Sequence, residues 1–160
     1  MNSIFDYTIE MLEEYFLSIG EKKFKAKQVF EWLYQKRVYS FDEMSNLSIN
    51  LREKLKSDFS IELLKLRKKQ DSEDTSKYLF ELYDGNLIES VLMRHDYGIS
   101  VCVSSQIGCN MGCSFCSSGI LGKQRNLLPH EMVGEILVII LSILQSSLKI
   151  NSILFLAHSF

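Results

Sequence analysis

The sequence predicts an α/β protein with a helical N-terminal part, a β-hairpin and the first βαβ unit of a parallel α/β barrel. Three observations support this prediction. Apolar residues recur at helical spacing early in the chain, alternating residues flank Asp84 and Gly85, and a strand, a cysteine-rich loop, a long helix and a last strand follow in that order. We expect two domains, residues 1–94 and residues 95–160.

Length and composition fit a globular protein of one or two domains. The chain has 160 residues, of which 46% are hydrophobic and 24% charged, and its net charge is −2. This charge gives no electrostatic reason to expect nucleic-acid binding, although a local basic patch can still bind phosphate. The N-terminus lacks a signal-peptide pattern, and the longest apolar run, residues 132–148, is too polar for a membrane span. We therefore expect a cytoplasmic protein without a membrane partner.

Three helices and one helical turn are predicted in the N-terminal part. They cover residues 8–19, 24–39, 40–43 and 47–59. Gly20 is placed to end the first helix, and Ser40 looks like the start of a capping box. Basic residues lie around the second helix and again before the hairpin: Lys22, Lys23, Lys25, Lys27, Lys36, Arg37, Lys65, Arg67, Lys68 and Lys69. We interpret them as a solvated face interleaved with Glu and Asp, with phosphate contact as the alternative.

The hairpin and the βαβ unit follow a polar loop predicted at residues 70–76. Residues 77–83 and 86–93 alternate around the Asp84-Gly85 turn. Residues 99–105 form a further strand, Pro129 suits the first turn of a helix that continues to about residue 148, and residues 153–156 form a last strand. A two-stranded parallel sheet needs cover on both faces. We therefore expect a barrel that is cut short.

The loop before the long helix carries the clearest candidate site. Three of the four cysteines, Cys109, Cys113 and Cys116, lie within eight consecutive positions. In parallel α/β folds, such loops at the C-terminal ends of strands carry the chemistry. In a cytoplasmic protein, clustered cysteines favour metal ligands or catalytic thiols over structural disulfides.

Several chemistries fit this cysteine spacing. A cluster of iron and sulfide held by three cysteines leaves one iron open to a substrate or cofactor. A structural zinc site needs a fourth ligand, for which His130 is the candidate. A redox disulfide between Cys113 and Cys116 leaves Cys109 unexplained. Three thiolates suit an iron–sulfur cluster better than a structural zinc site, which needs four protein ligands.

Longer motifs carry a resemblance to a known family. Residues 102–116 read CVSSQIGCNMGCSFC, and the segments FDEMSNLS, KYLF and RNL stand at residues 41–48, 77–80 and 125–127. The C-x3-C-x2-C spacing resembles the radical S-adenosylmethionine (SAM) superfamily. Together with its neighbours it is very similar to the RlmN/Cfr family of RNA methyltransferases, and most similar to the RlmN-type dual-specificity branch. The resemblance covers roughly residues 24–153.

This resemblance implies cofactors, substrates and site residues. Cys109, Cys113 and Cys116 match the ligands of a [4Fe-4S] cluster, whose open iron binds S-adenosylmethionine and cleaves it to a 5′-deoxyadenosyl radical. The implied product is methylated at C2 of an adenine in 23S rRNA or tRNA, and C8 methylation of the Cfr type is the near alternative. A reductant protein such as flavodoxin or ferredoxin is implied, as is RNA contact by the helical domain.

The resemblance also assigns two residues outside the cysteine loop. Cys102 matches the thiol that helps resolve the protein–RNA adduct, and Glu89 matches the family's proposed proton acceptor. From the residues alone, Cys102 reads as a buried strand cysteine and Glu89 as a solvent-facing strand residue.

The last residues depart from the family pattern. The family continues with a Gly-Met-Gly-Glu-Pro stretch that holds the amino group of S-adenosylmethionine, whereas residues 157–160 here read AHSF. We therefore expect a truncated radical SAM chain. The alternative to an enzyme is an inactive fragment that binds at most RNA or the cluster.

Overall fold

The computed structural model describes residues 2–111, 122–145 and 153–156. The chain divides into two compact units, Met1–Glu62 and Leu63–Phe160. The functional boundary predicted between residues 94 and 95 stays a prediction.

The first unit is built from three helices and a short parallel strand pair. Its elements are β1 (Asn2–Ser3), α1 (Ile9–Ser18), α2 (Phe24–Phe30), α3 (Ile49–Asp58) and β2 (Phe59–Ser60), with β1 pairing β2. Thr8 and Ser48 cap α1 and α3 by accepting hydrogen bonds from backbone N–H groups three residues on. Both helices therefore lie where the sequence predicts them, within two residues at each end.

The second helix is shorter than predicted. After α2 the chain continues as a π-helical turn over Glu31–Gln35, and Arg37 then takes a φ of 56°. This left-handed residue ends the helix before residue 39. The predicted capping box at Ser40 is wrong, because the Ser40 side chain makes no capping hydrogen bond, although a 3-10 turn does form at Phe41–Glu43.

The second unit is a mixed sheet with one long helix. Its elements are β3 (Lys65–Asp71), β4 (Thr75–Glu81), β5 (Leu87–His95), β6 (Gly98–Cys102), β7 (Gln106–Ile107), β8 (Arg125–Asn126), α4 (Pro129–Gln145) and β9 (Ile153–Leu156). Five strands lie in the order β3-β4-β5-β6-β9, antiparallel except for the parallel pair of β6 and β9. The predicted hairpin is confirmed as β4 and β5, with Gly85 at a φ of 81° in the turn.

The polar loop predicted at residues 70–76 is wrong at both ends, because β4 already begins at Thr75. Those residues include the end of β3, an edge strand whose side chains are nearly all exposed. The sequence does not predict this strand, because charged residues occupy both of its faces and apolar and polar residues do not alternate along it. Lysine-rich edge strands of this kind resist pairing with other chains.

The βαβ arrangement is present, but it does not stand alone. The parallel strands β6 and β9 extend the sheet that β3, β4 and β5 begin. The truncated barrel stays a prediction. One face of the sheet packs against α4 through a core whose buried members include Tyr78, Phe80, Leu92, Val101, Ile139 and Ile143. No helix among the described residues is long and apolar enough to cross a membrane.

Candidate active site on the open face of the sheet

The register of the sheet places Glu89 and Cys102 on the face opposite α4. Cys102 pairs with Val91, which lies two residues along β5 from Glu89. Paired residues of an antiparallel ladder share a face, and side chains alternate along a strand. Glu89, Val91 and Cys102 therefore point to the same side, with Glu89 and Cys102 in diagonal positions whose usual separation is about 7–8 Å. We call this side of the sheet the open face.

Glu89 presents its carboxylate to solvent beside a cation. Its side chain is 51% exposed, and the Nζ atom of Lys77 on β4 lies 2.8 Å from its Oε2 atom. Its backbone carbonyl accepts a hydrogen bond of 2.8 Å from the Ser104 hydroxyl. A carboxylate in this setting is reachable by a substrate and can accept a proton. Its assignment as the proton acceptor stays a prediction.

Cys102 is the last residue of β6 and carries a free, half-buried thiol. The strand ends there, earlier than the predicted residue 105. Two residues on, the Ser104 N–H leaves the ladder and donates to the side chain of Glu135, at 2.9 Å. The thiol thus lies at the C-terminal end of a parallel strand, the usual place for chemistry in such folds. The adduct-resolving role of Cys102 stays a prediction.

Glu135 lies beneath these residues, on the covered side of the sheet, and is fully buried. Its Oε2 atom accepts hydrogen bonds from the Ser90 hydroxyl and from the Ser104 N–H. Its Oε1 atom has no hydrogen-bond partner among the described residues. Burial raises the pKa of Glu135 to about 7, against the lowering effect of the two hydrogen bonds. This carboxyl ties β5 and β6 together directly behind Glu89 and Cys102.

Sequence reasoning did not identify Glu135. The available signal was an acidic residue inside an otherwise apolar stretch of the long helix. Buried carboxyls are uncommon without a partner, so such a residue predicts a polar contact across the core. The partners themselves, Ser90 and Ser104, lie far away in sequence and carry no signal of their own.

The cysteine loop leaves the sheet through a narrow stem. Strands β7 and β8 pair at the base of the loop, and the Leu127 N–H donates to the Ser105 carbonyl at 2.9 Å. Gly108 has a φ of 71°, and a Cβ atom there would lie 1.8 Å from the carbonyl oxygen of Gly122. Only glycine fits this position, because the two backbone segments meet without room for a side chain.

Arg125 joins the stem to the hairpin and to α4. Its Nε and Nη2 atoms lie 2.9 and 2.6 Å from Oδ2 of Asp84, and its Nη1 atom lies 2.7 Å from Oε2 of Glu131. Hydrogen bonding to Arg125 lowers the pKa of Asp84. Burial would raise the pKa of Glu131, but hydrogen bonds from Arg125 and from the Leu128 N–H leave it lowered. The RNL motif at residues 125–127 therefore has a structural role in anchoring the loop.

Cys109 has the surroundings of a thiolate ligand. Its thiol is free and half-buried, and the Met111 N–H donates to its Sγ atom at 3.4 Å. Hydrogen bonds to cysteine sulfur are a recurrent feature of iron–sulfur sites and tune their reduction potentials. Cys113 and Cys116 lie outside the described residues, so the three-cysteine ligand set stays a prediction.

The zinc alternative is not tested by the described residues, because two of its cysteines, Cys113 and Cys116, lie outside them. His130 lies in the first turn of α4, where its ring centroid is 6.2 Å from that of Tyr83. Within residues 2–111, 122–145 and 153–156, no three His, Cys, Asp or Glu side chains form a group able to hold a metal ion.

Two of the basic residues predicted around the second helix contact other side chains. Lys23 lies 3.8 Å from Glu13, and the ammonium of Lys36 stacks over the ring of Trp32, 3.6 Å from its centroid. Whether these residues form only a solvated face or also contact phosphate stays a prediction.

Comparison with known proteins identifies the family. The chain is 48% identical over 152 residues to a Bacillus velezensis protein named probable dual-specificity RNA methyltransferase RlmN, covering 94% of this chain and 42% of the relative. An Enterococcus faecalis protein of the same name is 56% identical over 136 residues, covering 84% and 38%. Residues 2–61 match the family described as ribosomal RNA large subunit methyltransferase N-terminal domain. The chain corresponds to an N-terminal portion of the RlmN-family proteins.

A solved structure extends this assignment to the fold. The chain superposes on the crystal structure of a radical SAM methyltransferase from Sphaerobacter thermophilus with a TM-score of 0.82 and 32% identity, covering 96% of this chain and 46% of that one. The family resemblance inferred from the sequence is thereby confirmed. The chain spans about two fifths of the length of the curated RlmN relatives it matches.

Proposed function

We propose that this chain supplies the cysteine loop and the substrate-facing sheet of a radical SAM enzyme that methylates C2 of an adenine in 23S rRNA and tRNA. The observation that carries the proposal is the shared face of Glu89 and Cys102, on the strands that lead into the cysteine loop. The names of the RlmN relatives and of the similar solved structure support the same chemistry.

In this proposal Cys109, Cys113 and Cys116 hold a [4Fe-4S] cluster. A cluster held by these residues would supply the electron for reductive cleavage of S-adenosylmethionine. The free thiol of Cys109 and the amide donor at its sulfur fit this use. The close approach of Gly108 to Gly122 brings the two ends of the loop together after β7.

The remaining roles belong to the open face. Glu89 accepts the proton that leaves the adenine carbon, and Lys77 holds its carboxylate in place. The Cys102 thiol helps to release the protein from the RNA adduct. Ser104 links the two, because its hydroxyl binds the Glu89 carbonyl and it follows Cys102 by two residues.

The finer architecture is part of the same proposal. Residues 1–94 form an RNA-contacting accessory part, and residues 95–160 begin the barrel that binds the cluster. The enzyme works in the cytoplasm and takes its electron from a flavodoxin- or ferredoxin-type protein.

The proposal is tested by anaerobic reconstitution of the full chain with iron and sulfide. We expect bound iron. Release of 5′-deoxyadenosine from S-adenosylmethionine under a chemical reductant, together with 2-methyladenosine in digested RNA by mass spectrometry, would show that this chain is active by itself. Cys109→Ala is the control and should lose iron while keeping the same circular dichroism spectrum.

Other results would redirect the assignment. A product methylated at C8 supports the Cfr type of reaction. Binding of RNA without cleavage of S-adenosylmethionine supports the inactive-fragment alternative. Absence of bound iron in the wild-type chain contradicts the cluster assignment itself.

A further inference from the structure

The open face contains a hollow beside Glu89 that no predicted role uses. It has a volume of about 150 Å³ and is lined by Lys68, Gln70, Lys77, Leu79 and Glu89. The register explains why these side chains meet. Lys68 pairs with Leu79, which pairs with Glu89, and Gln70 pairs with Lys77 in the adjacent row. The hollow therefore lies across three neighbouring strands, one strand away from the β6 residue Cys102.

The two lysines that line this hollow differ in whether they form an ion pair. Lys77 is paired with Glu89 at 2.8 Å. On β3, Arg67 pairs with Glu81, but Lys68 makes no ion pair with any of the described residues. An exposed cation is thus left over on the side of β3 that faces the hollow, and the lining carries two positive charges against one negative charge.

This lining matches a nucleotide better than it matches other ligand classes. Lys68 is suited to a phosphate oxygen, the Gln70 amide offers both a donor and an acceptor, and Leu79 provides an apolar wall. A divalent cation would need more oxygen ligands than the single carboxylate present. An apolar ligand would meet mainly polar and charged side chains.

We propose that this hollow is a contact site for the RNA substrate, in which Lys68 binds a backbone phosphate next to the nucleotide presented to Glu89. The inference rests on the proposed function and extends it by assigning one strand of the sheet to RNA positioning. It explains why β3 carries an unpaired lysine on the same face as the predicted site residues.

A competing explanation is that the lysines of β3 only protect an exposed sheet edge. The two explanations predict different effects for lysines on the two faces of β3. A phosphate site depends on the face that carries the lysine, whereas edge protection does not. Lys69, the next residue, pairs with Tyr78 in the ladder and therefore points to the other face. Its ammonium lies 3.1 Å from Asp71 and 5.5 Å from the Tyr78 ring centroid. Lys68 and Lys69 thus form a matched pair with equal charge and opposite faces.

The test measures binding of a fluorescein-labelled, adenine-containing single-stranded RNA to the full chain by anisotropy at several salt concentrations. For Lys68→Gln we expect several-fold weaker binding and a salt slope reduced by about 0.7 to 1, as for the loss of one phosphate contact. Lys69→Gln should leave the slope at its wild-type value. Lys68→Arg, which keeps the charge, should restore binding.

The outcomes separate this inference from the proposed function. Wild-type affinity and slope in Lys68→Gln overturn the phosphate site while RNA binding itself stands. Equal losses in the two glutamine variants also overturn it, because they indicate general attraction to the edge strand. A wild-type chain that fails to bind RNA overturns the proposed function together with the site. A circular dichroism spectrum and a urea midpoint of Lys68→Gln equal to those of the wild-type chain separate loss of the phosphate contact from misfolding.

Discussion

The two faces of the five-stranded sheet share the same strands but differ in chemistry. On the covered face, Tyr78, Phe80 and Leu92 are fully buried against α4, and the charged side chain of Glu135 is buried with them. On the open face, Lys77 and Glu89 are about half exposed and Cys102 keeps a free thiol. Successive side chains along β4 and β5 point to opposite faces, so neighbouring residues lie either in the core or at the candidate site.

This difference shows how a small sheet can hold reactive groups in place. The covered face supplies the free energy of folding, because burial of apolar side chains is the main stabilising contribution. The open face carries polar groups whose loss should cost little stability. Glu135 connects the two, since its carboxyl fixes the backbone of β5 and the end of β6 from behind.

The largest expected effect is a difference in stability between alanine variants of two adjacent residues on opposite faces. Phe80→Ala should lower the free energy of unfolding by about 3–5 kcal/mol, because it leaves a cavity in the core under α4. Leu79→Ala, on the partly buried open face, should cost only about 1 kcal/mol. Urea unfolding followed by circular dichroism compares them. Equal losses would show that both faces are packed alike.

The next largest expected effect is a pH dependence of stability caused by Glu135. Its pKa is about 7 in the folded chain and near 4.5 when unfolded. The folded state therefore binds more protons between these values, and stability should fall as pH rises through this window, by an amount on the order of 3 kcal/mol. Glu135→Gln cannot titrate and should flatten this dependence in urea midpoints measured at several pH values. Glu89→Gln on the open face is the control; an unchanged slope in Glu135→Gln would contradict the assignment.

A smaller effect is expected where the open face passes into the cysteine loop. Gly108→Ala places a methyl group against the Gly122 carbonyl at a positive φ and should cost about 2 kcal/mol locally. After reconstitution we expect less iron bound per chain. Gly85→Ala is the matched control, because its φ is also positive but no atom lies within 4 Å of the added carbon. Equal iron content in the two variants would argue against a rigid stem.

The smallest expected effect is removal of the ion pair on the open face. Lys77→Met should change the free energy of unfolding by less than about 1 kcal/mol, because both partners are half exposed and solvent screens the pair. A double-mutant cycle with Glu89→Gln measures the coupling between them. A coupling of several kcal/mol would mean that the open face contributes to folding as the covered face does.

Much of the fold was predictable from local patterns. The Asp84-Gly85 turn, the first and third helices, and the helix that starts at Pro129 each depend on the residues of one short segment. Strand β3 was not predictable, because an exposed edge strand needs no apolar alternation. The early end of α2 at Phe30 was also missed, since its apolar spacing continues past the point where the backbone changes.

The candidate site divides in the same way. The sequence marks Cys109, Cys113 and Cys116 by spacing, and the family resemblance adds Glu89 and Cys102. The residues that contact these site residues could not be predicted from the sequence. Lys77, Ser104 and Glu135 are ordinary residues in their own segments and become significant only through contacts with residues distant in the chain.

The sequence by itself determined the family resemblance, the cysteine spacing and the order of the main helices, the hairpin and the βαβ unit, because each depends on residues that are close together in the chain. The tertiary structure alone decided which side chains share a face. Strand pairing sets the register between segments that are far apart, and a shift of one residue would move Glu89 or Cys102 to the other side of the sheet. The open face and its neighbouring hollow are consequences of that register.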